Sequence, residues 1–147
     1  MNADRTWHVL SSVEKYALKH SVEETLKYVE NIIGTHRALR VKEALFENRV
    51  VKIVSSNNEE HWFFLGKTNT YILIPKTFCS CIDFEINVVE RKKIPTCYHL
   101  VTQVLAQVYG RYRIVRDIKS DDLLCIYDEI EERQISATLH KYLLLKR

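Results

Sequence analysis

The sequence predicts an α+β fold, and three observations predict it. Apolar residues recur at helical spacing up to about residue 48. Three short β-branched or aromatic runs follow between residues 50 and 74. The helical period then returns after Thr96 and again after Ser120. With 147 residues the chain is long enough to bury one hydrophobic core, and residues 1–147 read as one domain. Within it, a helical part covers about 11–48, a sheet with a ligand-bearing segment about 50–110, and a further helical part about 120–147.

Ser11-Ser12-Val13-Glu14 and Ser21-Val22-Glu23-Glu24 both have capping-box spacing, in which a serine hydroxyl accepts a backbone N–H and the glutamate reaches back. Leu26, Val29, Ile32 and Ile33 continue the second box at helical spacing, and Gly34 is a natural stop. A further helix carries Ala38, Val41 and Leu45 and ends near Asn48. Val50–Val54, Trp62–Leu65 and Tyr71–Ile74 then read as a three-stranded antiparallel meander joined by polar turns, with the flanking helices as its cover.

From Thr96, an apt N-cap, the stripe Leu100, Val101, Val104, Leu105 and Val108 runs to Gly110. A last helix starts after Ser120 with Leu123, Leu124, Tyr127 and Ile130. The apolar tail from Ser136 to Arg147 adds a docked turn or two. Trp62, Phe63, Phe64 and Tyr71 are expected in the core, and an apolar sheet face or edge left uncovered would be a natural docking site for a partner.

Net charge is +3, with positives and acids interleaved, which does not by itself call for nucleic acid. Two short cationic stretches stand out: Arg91-Lys92-Lys93, with Lys76 on its near side, and Arg111, Arg113 and Arg116. No apolar run approaches the roughly 20 residues that span a bilayer, and Met1–Arg5 lacks the apolar core of a signal peptide. A cytosolic or nuclear location is expected. Cysteines there serve as metal ligands or plain thiols rather than disulfides.

The chemistry concentrates between Phe78 and Gln107. Cys79-x-Cys81 is followed by fifteen residues and then Cys97-x-His99. Zinc takes four ligands in a tetrahedron, sulfur at about 2.3 Å and imidazole nitrogen at about 2.0–2.1 Å, and two local pairs meet that need. Four protein ligands close the tetrahedron, whereas catalytic zinc keeps a position open for water. No catalytic residues are assigned. Cys125, between Leu124 and Ile126, reads as a packing residue. His8, His20, His36, His61 and His140 have no partner at ligand spacing.

The CxC and CxH pairs resemble the SWIM-type zinc finger. The segment from Phe78 to Leu100, with its insert ending in basic residues before CxH, is similar to the small SWIM protein of the Shu complex. The likeness covers roughly residues 26–110. The family's extended pattern places alanine three residues after the histidine. This chain has Thr102, whose hydroxyl could bond back to a helix carbonyl. The resemblance implies a zinc-binding, non-enzymatic, nuclear protein. It would pair with a RecA-like recombinase paralogue and support recombinase filaments on single-stranded DNA in homologous recombination, with no membrane and no small-molecule substrate. The alternative is an autonomous nucleic-acid-binding zinc module or an adaptor.

Overall fold

The computed structural model describes residues 2–145. Three helices come first: α1 (Asn2–Ala17), α2 (Val22–Ile33) and α3 (Thr35–Phe46). The stripe of Thr6, Leu10, Val13 and Ala17, all buried, sets the length of α1. That stripe begins well before Ser11, so the expected capping box at Ser11–Glu14 is wrong: both residues lie inside a continuous helix. The Ser12 hydroxyl donates instead to the His8 carbonyl, and the Ser11 hydroxyl is buried without a partner.

The box at Ser21–Glu24 does form. The Glu24 amide donates to Ser21 Oγ at 3.2 Å, and the Ser21 amide donates to Glu24 Oε1 at 3.1 Å. Gly34 ends α2 at φ 90°, a conformation that costs glycine little, and α3 starts at the next residue.

The expected meander is present as β1 (Val50–Val54), β2 (Glu60–Leu65) and β3 (Thr70–Ile74), with Val51 opposite Phe63 and Phe63 opposite Ile72. It is part of a larger, mixed sheet of five strands. β4 (Phe78–Cys79) pairs antiparallel with β3, and β5 (Arg113–Val115) pairs parallel with β1, giving the order β4-β3-β2-β1-β5. Strands of two and three residues carry too little periodicity to be read from sequence.

After β4 the chain forms a π-helical segment, Phe84–Glu90, and then α4 (Tyr98–Tyr109), α5 (Ser120–Arg133) and α6 (Ala137–Leu145). Gly110 closes α4 in the left-handed conformation at φ 69°. The N-cap of α4 is Cys97 rather than the expected Thr96. The buried Thr96 hydroxyl donates to the Cys97 carbonyl, one residue outside the cap.

The strands alternate between two cores. Val50, Trp62, Phe64, Leu73 and Cys79 face the apolar sides of α1 to α4. Val51, Ile53, Phe63 and Val115 face Ile126 and Ile130 of α5 and Leu139 and Leu143 of α6. Among the described residues no sheet face is left over for docking, because α5 and α6 pack on the second one. Within α5 the buried stripe uses Ile126 and Ile130, while Leu124 is exposed.

Cys125 is also not the apolar packing residue expected. It is partly exposed and lies 3.4 Å from Glu129 Oε2. Glu129 caps α6, accepting from Ser136 Oγ at 2.7 Å, the Thr138 amide at 3.0 Å and Thr138 Oγ1 at 2.9 Å. Helix α6 is the docked part of the expected tail, and the last two residues of that tail, Lys146 and Arg147, lie outside the described residues.

Candidate metal centre

The four residues singled out by spacing converge. Cys79 ends β4 at the sheet edge. Cys81 follows in the turn that enters the π-helical segment, Cys97 stands at the N-cap of α4, and His99 lies in its first turn. One ligand atom from each, three sulfurs and one imidazole nitrogen, all lie within 4.8 Å of one another. All four residues are buried, none more than 4% exposed. Among the described residues this is the one Cys, His, Asp and Glu cluster that could hold a metal ion.

Sequence dictates this convergence locally. Cys79 pairs with Leu73, so the β3–β4 register turns its side chain toward the helical layer. Cys97 has extended backbone, φ −86° and ψ 166°, as an N-cap requires, and the helix starting at Tyr98 brings His99 round beside it. The His99 ring sits in an aromatic box, with centroids 4.5 Å from Phe64, 4.5 Å from Tyr71 and 4.0 Å from Tyr98.

The electrostatics suit a cation. Burial pushes the Cys79 and Cys97 thiols up, while hydrogen bonds from those two thiols hold Cys81 well down. The Cys81 sulfur also accepts the Phe84 amide at 3.3 Å. Three thiolates so close together in a buried volume repel one another unless a cation stands among them. His99 Nδ1 is buried without a hydrogen-bond partner. A soft donor set with an unsatisfied buried nitrogen fits a borderline-soft ion.

The support around these residues was not legible from motif spacing. Asp83 accepts two bonds from Arg37 of α3, both at 2.9 Å, and this pairing holds its carboxyl below the usual range. Thr102 Oγ1 donates to the Tyr98 carbonyl at 2.7 Å, the back-bond its position in the helix allows. The remaining histidines stay apart from the cluster. His20 stacks on Tyr16, His61 Nδ1 pairs with the Tyr127 hydroxyl, and His8, His36 and His140 are exposed.

The two cationic stretches separate in character. Arg111 lies over the Phe46 ring at 5.0 Å, and Arg113 donates to the Leu143 carbonyl, so both serve local packing. Lys76 pairs with Glu14 and lies over Trp7. Arg91, Lys92 and Lys93 are exposed and enter none of the five ion pairs found among the described residues. Arg5 of α1 joins them, donating to the Lys92 carbonyl at 3.3 Å.

Comparison with protein-family models, with curated proteins and with solved structures gives no match. Fold and site together define an α+β chain with a buried Cys3His cluster at the start of α4 that could bind a metal ion.

Proposed function

We propose that Cys79, Cys81, Cys97 and His99 hold a structural zinc ion, and that the chain is a non-enzymatic binding subunit. The reading rests on one observation above all: four ligand atoms within 4.8 Å, all from buried residues. Such a set fills a tetrahedron from the protein alone, as structural zinc sites do. Bound zinc supplies the positive charge that lets three thiolates coexist. The residues themselves tie the sheet edge to α4 and so fix the surface around them.

The resemblance to the small SWIM subunit of the Shu complex names the partner class. This is a RecA-like recombinase paralogue, met in the nucleus, with the pair promoting recombinase filaments during homologous recombination. The test is elemental analysis of the purified chain together with capture of a purified recombinase paralogue. One zinc per chain, with capture lost in Cys79→Ser and His99→Ala, is the expected result. A folded chain without zinc refutes the metal reading. A zinc-free variant that captures the paralogue at full affinity refutes its link to partner binding.

One observation favours a second reading, an autonomous nucleic-acid-binding module. Among the described residues, Arg91, Lys92 and Lys93, with Arg5 beside them, form an exposed cationic group with no ion pair to an acidic side chain. On that reading the isolated chain binds single-stranded DNA with a steep salt dependence, and replacing the three cations flattens it. On the first reading the isolated chain binds DNA weakly, and the same replacement leaves partner capture intact.

A further inference from the structure

The turn after Cys81 is held by more than its own backbone. Arg37 Nε and Nη2 donate to Asp83 Oδ2 and Oδ1, a two-pronged bond at 2.9 Å for each prong between α3 and a residue two positions past a ligand. Asn87 Nδ2 donates to the same Asp83 Oδ1 at 2.7 Å. The Asn87 carbonyl in turn accepts the Lys93 amide at 2.8 Å and the Ile94 amide at 3.2 Å. Thr6 Oγ1 of α1 donates to the Pro95 carbonyl at 2.7 Å, two residues before Cys97. Bonds therefore run from α3 to Asp83, just past the first ligand pair, and on through the π-helical segment to Ile94, while a separate bond from α1 holds Pro95 ahead of the second pair.

We propose that Arg37, Asp83 and Asn87 are positioning residues that set the affinity of this centre for its metal. The inference rests on the reading of Cys79, Cys81, Cys97 and His99 as zinc ligands. Two physical effects carry it. The ligand pairs are separated by fifteen residues, and a flexible connection would lose that freedom on every binding event. The bonds at Asp83 and Asn87 remove the freedom beforehand. Three thiolates around a doubly charged ion also leave one unit of negative charge in a buried place. The Arg37 guanidinium, only 30% exposed, cancels the charge of Asp83, which would otherwise add a further negative charge beside it. A forked, permanently charged donor suits the task better than lysine.

The experiment measures zinc affinity of the full chain by competition with a chromophoric chelator, and records the visible spectrum of the cobalt-substituted protein. Arg37→Gln and Asp83→Asn are each expected to bind zinc about 10–100-fold more weakly, the usual range for groups that orient metal ligands. The double variant is expected to be no weaker than the worse single one, because the two side chains act as one unit. Arg37→Lys, which keeps the charge and loses the fork, falls between.

Asn87→Ala keeps the ion pair and loses less. It serves as the variant to read if Arg37→Gln fails to fold. Arg40→Gln, on an exposed ion pair one turn along α3, leaves affinity unchanged. The cobalt bands shift in Arg37→Gln but not in Arg40→Gln, which a purely structural role would not produce. Wild-type affinity in Arg37→Gln and Asp83→Asn overturns the inference while leaving the zinc reading intact. A wild-type chain that binds no zinc overturns both.

Discussion

His99 separates what the ion contributes from what packing contributes. Its ring is 4% exposed and lies against Phe64, Tyr71 and Tyr98. His99→Ala leaves a hole in that aromatic box and deletes one of four ligands. Truncating a large buried aromatic ring costs about 3–5 kcal/mol, and the smaller, polar imidazole sits below that, at about 2–4 kcal/mol. This part of the loss is the same whether or not zinc is in solution. The ion adds a second part, about 4 kcal/mol when free zinc is about a thousand times its dissociation constant.

The gap in stability between wild type and His99→Ala is therefore about 6–8 kcal/mol in zinc and about 2–4 kcal/mol in excess chelator. Urea denaturation followed by tryptophan fluorescence reads it, since Trp62 is buried on the same sheet face. Phe63→Ala, on the opposite face, is the control. It costs about 3–5 kcal/mol in both solutions. A gap for His99→Ala that chelator leaves unchanged makes His99 an ordinary core residue and refutes the reasoning.

Two further predictions concern the helical ends. Glu129 is opposed by partial desolvation, yet bonds from Ser136, Thr138 and Cys125 lower its pKa from an ordinary 4.5 to about 2. A carboxylate with a depressed folded pKa gives stability that is present above pH 4.5 and lost as pH falls toward 2. Because Glu129 is only partly buried, solvent screens the gain and the effect is about 1 kcal/mol. Glu129→Gln should remove it, seen as a flatter acid limb and faster amide exchange in α6. Ser21→Ala deletes one half of the reciprocal cap on α2 and should cost about 1 kcal/mol in urea denaturation, with α3 amide exchange unaltered.

The ligand set and the three meander strands were legible because each is a local pattern. The CxC and CxH pairs need only neighbouring residues, and β1 to β3 carry short runs dominated by β-branched or aromatic side chains. The short strands β4 and β5 were not legible, since their pairing comes from tertiary position and not from periodicity. Ser11 misled because capping-box spacing recurs by chance inside a helix whose buried stripe starts at Thr6. Arg37 and Asp83 are 46 residues apart, and no local signal marks them as partners. The cover that α5 and α6 give the second sheet face was hidden for a similar reason, because an amphipathic helix does not announce which face it will meet.

Helix α4 has a length that matters. Its 12 residues span about 18 Å at about 1.5 Å each. Five strands at about 4.8 Å spacing make a sheet about 19 Å across. The helix touches β1, β2, β3 and β4, and the chain leaving Gly110 goes directly into β5. It is thus a strap laid from one border of the sheet to the other, with Cys97 and His99 as the buckle beside β4. Slack introduced at the buckle runs the length of the strap and reaches the far border, where β5 and the chain leading to α5 are attached.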